Sequence, residues 1–305
     1  MGMTEVLTRA AYFIGIIFMG YSLRRAGFFK PEDFHVLSKI VLKITLPAAI
    51  IVSFAGKEID PSMLVLCLLG LVGGLIYMGA GFLMNVKSSK EKQAFEILNL
   101  SGYNIGNFTL PFVQSFLGPS GVVITSLFDT GNAVVCLGGA YSGAAMAKGD
   151  GKGLPVVQIA RTLVKSVPFD TYMIMTALCL LGIRLPEQAV SFAGIIADGN
   201  AFMAMLMIGV GFKLSGDKSQ MSAIIRLLAV RYGVAALLSA GFYFLLPMPL
   251  EYRQTLAILV FAPIASAAPA FTADLKGDIG LSSAINSMSI LISICCIVAV
   301  VGVAL

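Results

Sequence analysis

The stretch Ser101-Gly102-Tyr103-Asn104-Ile105-Gly106-Asn107-Phe108-Thr109-Leu110-Pro111 lies in the middle of Gln93 to Leu117, a segment otherwise apolar enough to cross a membrane. Two glycines, two asparagines and a proline all weaken a helix there: proline has no N–H and clashes with the preceding turn, and glycine carries the largest backbone entropy cost. A bilayer tolerates such a break only where the freed backbone groups are buried in protein or line a wet cavity. The pattern returns about 160 residues on, in Pro263-Ile264-Ala265-Ser266-Ala267-Ala268-Pro269-Ala270-Phe271, inside the membrane-length segment Gln254 to Leu275. Two ordinary proline kinks would share the prolines and glycines. The asparagines point further, to a polar site, because unpaired amides are expensive at membrane depth. Interrupted segments at matching places in two halves mark the binding site of a carrier built from inverted repeats.

Composition supports a membrane protein. The chain has 305 residues, 58% hydrophobic and 12% charged, against roughly a quarter charged in an average soluble domain. Ten spans of about 20 residues fill it: Thr4 to Leu23, Phe34 to Phe54, Ser62 to Val86, Gln93 to Leu117, Ser120 to Ala147, Val156 to Ile183, Glu187 to Phe212, Gln220 to Leu246, Glu251 to Leu275 and Ile279 to Leu305. The opening segment has no basic leader, so it reads as the first span and not as a cleaved signal.

Lysines and arginines sort sharply between alternate connections. Arg24, Arg25, Lys30, Lys39, Lys87, Lys90, Lys92, Lys148, Lys152, Arg161, Lys165, Lys213, Lys218, Arg226 and Lys276 fall on one side; Arg9, Lys57, Arg184 and Arg253 fall on the other, and Lys43 and Arg231 lie within spans. The fifteen-to-four excess places the first set in the cytoplasm and both termini outside. Five spans per half then make the second half an inverted copy: residues 1–147 as one five-helix repeat, 148–155 as a cytoplasmic linker, and 156–305 as the second repeat. Gly70/Gly74 and Gly139/Gly143 are G-x-x-x-G pairs for close helix contact within the chain, with a homodimer left open. The sequon Asn107-Phe108-Thr109 falls mid-membrane, out of reach of glycosylation.

Several chemistries have no support. Cys67, Cys136, Cys179, Cys295 and Cys296 sit in apolar runs with no Cys/His cluster, and the one histidine, His35, lies in a polar connection. No phosphate-binding G-x-x-x-x-G-K-[ST] loop occurs. The expectation is a carrier and not an enzyme, with no cofactor, no metal and no nucleic-acid partner, working against the lipid bilayer.

Two acids and two neighbouring asparagines stand out. Asp129 lies in Phe128-Asp129-Thr130-Gly131-Asn132 of span five and Asp198 in Ala197-Asp198-Gly199-Asn200 of span seven. Intramembrane carboxylates mark ion or substrate paths. Asp129, Asp198 and Asn200 are therefore candidates for H+ or Na+ coupling, or else hydrogen-bonded anchors, and the residues do not decide. At the first break, the start of the second half-helix offers free N–H groups that favour an anion. Asn104 adds side-chain donors, and no lysine or arginine lies within either break, which suits a carboxylate held weakly enough to be released.

Asn104 seven residues before Pro111, with Gly106 between and Gly118 to Gly121 after, resembles the N-x-G-x-x-x-x-P crossover of the auxin efflux carrier family, which includes the plant PIN-type carriers and bacterial members. Arg24-Arg25-Ala26-Gly27-Phe28, Leu46-Pro47-Ala48, Gly209-Val210-Gly211 and Ala262-Pro263 through Ala273 agree with it. The resemblance implies an all-α fold of ten transmembrane helices in two inverted repeats, with helices four and nine crossing at their breaks in the cytoplasmic membrane. It also implies small organic anions such as malonate or malate as cargo. Carried over, Asn104, Pro111, Pro263 and Pro269 match the crossover and Asp129 supplies a polar group, with Asn107, Asn132, Ser266 and Pro47 beside them as substrate-site candidates. Where plant carriers have a second asparagine, this chain has Ala265 or Ser266, so an indole acid is not implied. A bile-acid-type sodium symporter, a cation antiporter, and a channel or membrane sensor are the competing readings.

Cysteine labels at Lys152 and Gly56 are expected to react from the cytoplasmic and outer faces respectively. Labelling from the opposite faces would overturn the orientation.

Overall fold

The computed structural model describes residues 3–149, 153–212 and 220–304. Lys152 of the expected linker, and Lys213 and Lys218 of the cytoplasmic set, lie outside the described residues. The protein is all-helical, 81% helix, with no strand among the described residues. Among the described residues fifteen α-helices follow in chain order: α1 (Met3–Arg25), α2 (Asp33–Ile40), α3 (Leu46–Phe54), α4 (Val65–Leu83), α5 (Lys90–Leu100), α6 (Leu110–Val134), α7 (Ala140–Lys148), α8 (Val156–Leu163), α9 (Val167–Leu180), α10 (Glu187–Ala197), α11 (Asn200–Gly211), α12 (Met221–Leu245), α13 (Leu250–Leu259), α14 (Ala268–Asp274) and α15 (Ile279–Ala304). Seven continuous helical stretches among the described residues are long and apolar enough to cross a bilayer, and an eighth arises if α8 and α9 count as one span.

Where the elements depart from ten uniform spans, local chemistry explains the departure. Expected spans four and five form one helical stretch, Lys90–Lys148, yet α5 packs on α7. The chain therefore folds back within that stretch. It does so at Gly118, whose left-handed φ of 63° no side chain would favour, followed by Pro119, which cannot donate a helical hydrogen bond. The expected span Val156 to Ile183 is bent by 78° between α8 and α9, because Ser166 is extended and Pro168 opens α9 without an N–H to give. Asp198-Gly199 separates α10 from α11.

Two π-helical turns carry the same ending. Val41–Thr45 runs into Leu46-Pro47 and Ile105–Thr109 runs into Leu110-Pro111, and in each the leucine N–H reaches back five residues, to Val41 and Ile105. The proline after each leucine offers no N–H, so the ladder widens by one residue instead of closing normally. These turns aim Thr45 and Asn107 sideways, and the two turns touch.

Close packing depends on glycine at helix crossings. A Cβ on Gly70 would overlap the carbonyl oxygen of Phe128, and one on Gly131 that of Cys67, so α4 and α6 meet backbone to backbone; Gly20 and Gly209 do the same for α1 and α11. Gly74 packs on Val135 and Gly143 on Met78, so three of the four G-x-x-x-G glycines serve contacts within the chain. The outward faces carry large apolar side chains such as Phe18, Ile195, Leu237 and Phe244, as a surface in contact with lipid tails requires.

Gly70→Ala and Gly131→Ala are expected to destabilise the protein by about 3 kcal/mol, the upper end for forced overpacking. Gly15→Ala and Gly241→Ala, where an added Cβ meets nothing within 4 Å, should leave thermal stability in detergent unchanged or slightly higher. Equal melting of all four variants would refute this account of the crossings.

Candidate functional site

The two breaks meet. After α5, Ser101 is extended, Gly102 takes φ +74°, and Asn104 takes φ −81°, ψ 73° before the π turn begins. Gly102 is needed twice over: its φ is left-handed, and a Cβ would stand 2.6 Å from Cys136 Sγ and 3.2 Å from Ala265 Cβ. The backbone N–H of Asn104 donates to the carbonyl of Pro263 at 2.9 Å, joining residues from opposite halves of the chain.

Each break is held by an asparagine from a neighbouring helix. Asn132 on α6 accepts from the Tyr103 N–H at 3.0 Å and donates to its carbonyl at 2.9 Å. On α15, Asn286 donates to the carbonyls of Ile264 at 3.1 Å and Ala265 at 3.3 Å, and Ser289 Oγ accepts from the Ile264 N–H at 3.2 Å. A side chain with both donor and acceptor can replace the missing helical partners at a break, and a buried unpaired backbone group would cost about 1–3 kcal/mol.

Arg231 of α12 is fully buried and serves both breaks at once. Its guanidinium donates to the carbonyl of Leu100, where α5 ends, and to those of Ala262 at 3.0 Å and Pro263 at 3.4 Å, just beyond α13. It stacks over Tyr77 at 4.1 Å and Tyr103 at 4.9 Å from the ring centroids, a contact suited to a delocalised planar cation. No carboxylate among the described residues pairs with it.

Two cavities flank the crossing. One, of about 170 Å³, is lined by Asn104, Asn107, Asp129, Asn132, Tyr172 and Ser266 among others. The second, of about 310 Å³, shares Asn104, Asn107 and Ser266 and adds Arg24, Pro269 and Asn286. Asn107 Nδ2 donates to Ser266 Oγ at 3.4 Å across the gap between the breaks. The side-chain amide of Asn104 has no hydrogen-bond partner among the described residues, although its backbone is fully engaged. Asp129 accepts from Asn132 Nδ2 at 2.7 Å and from Tyr172 OH at 3.0 Å on the wall of the smaller cavity.

Of the sequence candidates, Asn104, Asn107, Asp129, Asn132 and Ser266 thus come together at the smaller cavity, with Pro269 on the larger one. Pro111 and Pro263 are buried and shape the breaks without lining either cavity. Pro47 is buried after its π turn, and Asn200 is tied to Thr45 at 2.9 Å and to Gln114 at 3.4 Å, so both lie in packing. Asp198 is exposed and borders neither cavity. Sequence reasoning missed Arg231, Asn286 and Tyr172. Arg231 carried a signal, a lone cation deep in an apolar span, whereas Asn286 and Tyr172 read as ordinary residues of their segments until folding sets them against the breaks.

The family model described as membrane transport protein, that of auxin efflux carrier and PIN-like proteins, matches residues 6–151. That stretch includes the first break, Asp129 and Asn132. No curated protein matches the chain. Residues 6–151, just under half of the chain, are thus similar to membrane transport proteins, and the long apolar helices fit a multi-pass membrane protein.

Proposed function

We propose that the protein is a secondary carrier of small organic anions, mono- or dicarboxylates, working by alternating access across the cytoplasmic membrane. The observation that carries this reading is the Asn104 amide: a polar side chain without internal partners, on the wall of both cavities, where two broken helices cross. Neutral donors in a water-accessible recess bind a carboxylate without holding it permanently, as turnover requires.

Ten spans in two inverted repeats follow from pairing α5 with the start of α6, and α13 with α14, as broken helices. The packing supports it. In the first half α4 packs on α5 and α6, and in the second α12 packs on α13 and α15; α1 packs on α11 as α9 packs on α3. Asn132 and Asn286 hold their respective breaks in matching fashion. Helices α1–α3 and α9–α11 form one group, and α4–α7 with α12–α15 the other. Both cavities lie between the groups, where relative movement would open and close them.

With the basic connections in the cytoplasm and both termini outside, both cavities open inward. The smaller is bordered by Ser166, Pro168 and Phe169, just after Lys165; the larger by Arg24, His35 and Gly211. The conformation is inward-facing. Among the acids, Asp129 is the coupling candidate, because it alone of the two singled out reaches a cavity. Proton coupling through it is a second reading, favoured by that placement.

Asn104→Ala should weaken carboxylate binding by about 1.5–3 kcal/mol, the value of a hydrogen bond to a charged group, with normal expression and thermal stability. Uptake into proteoliposomes from a panel of acetate, malonate, succinate and malate measures it, and unaltered transport would remove Asn104 from the site. Failure of the wild-type protein to take up any of the panel would sink the anion reading.

Asp129→Asn keeps the size and a hydrogen-bonding head but cannot exchange a proton. If Asp129 couples, uptake driven by a pH gradient is lost while exchange between equal internal and external substrate pools persists. Unchanged pH-driven accumulation would exclude the coupling role, and loss of both activities would mark Asp129 as a packing anchor.

A further inference from the structure

We propose that Arg231 sets the charge preference of the crossing: its fixed positive charge cancels the negative ends of both broken helices, so that a carboxylate can approach the shared cavity wall. The inference rests on the anion reading above. Each helix C-terminus carries roughly half a negative elementary charge from its unpaired carbonyls. Two such ends, after α5 and after α13, converge at Leu100 and at Ala262-Pro263, together about one negative charge, which one guanidinium matches.

The placement suits this role beyond helix capping. Arg231 is buried to 0% exposure, so solvent screens its field little, and it has no carboxylate partner among the described residues to neutralise it. Its Nε is buried without a hydrogen-bond partner, as is that of Arg253. Tyr77 OH donates to the Arg231 backbone carbonyl at 3.1 Å and both tyrosine faces enclose the guanidinium, fixing it in place. The Pro263 carbonyl receives both the Arg231 guanidinium and the Asn104 N–H, so the charge stands one carbonyl away from the backbone of the residue that faces both cavities. The other cations at helix ends differ: Arg24, on the wall of the larger cavity, caps Val210 and Phe212, and Arg253 caps Tyr243, each at a single terminus and neither at a break. Arg231 is a positioning residue by this account, acting on the ligand through the field and through the breaks it holds.

The test compares a carboxylate with its uncharged amide. In proteoliposomes, the acid that the wild type takes up best from acetate, malonate, succinate and malate is used as labelled substrate. Inhibition by that acid and by its amide (acetamide, malonamide, succinamide or malamide) gives a preference ratio. Arg231→Lys, which retains the charge, should keep the ratio within about three-fold of wild type. Arg231→Gln and Arg231→Met should lower it by about ten-fold or more, the effect of one buried charge at about 10 Å in an interior of intermediate dielectric. A merely structural arginine would weaken acid and amide alike and leave the ratio unchanged, which would overturn the inference while leaving the carrier reading intact. Failure of both neutral variants to fold, with Arg231→Lys folded and selective, would assign the arginine to packing and equally overturn it. Absence of uptake of every acid by the wild type would instead overturn the anion reading, and this inference with it.

Discussion

Backbone polar groups released inside an apolar interior have to be paired, and that requirement organises the centre of this protein. Two helices stop mid-membrane, and the carbonyls and N–H groups they leave behind find partners in four places: the opposite break, through Asn104 and Pro263; α6, through Asn132; α15, through Asn286 and Ser289; and α12, through Arg231. In hydrocarbon each unpaired group would cost several kcal/mol. The elements that bring these partners in therefore have fixed positions, and the cavities are what remains between them. A carrier gains from such an arrangement, since irregular backbone at membrane depth is where weak, reversible contacts with a ligand can be made.

Around that centre, glycine contacts make rigid units and polar contacts join them sparsely. The α4–α6 and α1–α11 crossings bring backbone against backbone, which leaves little freedom for sliding. Between the two helix groups the side-chain hydrogen bonds among the described residues include Tyr172 to Asp129, Asn200 to Gln114 and Arg9 to the carbonyl of Ser115, with Lys57 to Ser120 just beyond α3. On the carrier reading proposed above, stiff groups joined in this way would favour domain movement over local gating. Cations placed at helix C-termini, including Lys148 at the carbonyl of Leu275 as well as Arg24 and Arg253, complete the ends without crossing that boundary.

The all-helical class and the two breaks were legible in the chain because they follow from one-dimensional chemistry. Apolar length marks membrane helices, proline and glycine clusters mark breaks, and both breaks appear where the sequence places them. Asn104, Asp129, Asn132 and Ser266 were accessible for the same reason: polar residues in apolar runs are costly and therefore informative. Asp198 carried the same signal and lies on the exposed side of its turn, since a residue beside a glycine break can turn outward, and one-dimensional cost does not tell inward from outward.

What only tertiary structure decided is which distant groups meet. Arg231 precedes Ala262 by 31 residues and follows Leu100 by 131, and nothing in the local pattern of α12 says that its cation will stand between the ends of two helices from different halves. The fold-back at Gly118 and the bend between α8 and α9 depend on glycine and proline that sequence can show, but their angles depend on what packs against them. Composition and periodicity determined that the chain crosses a membrane and breaks twice. Long-range pairing of the freed backbone, which depends on helices approaching in three dimensions, determined where the breaks touch, which cation completes them and which amide is left facing the cavities.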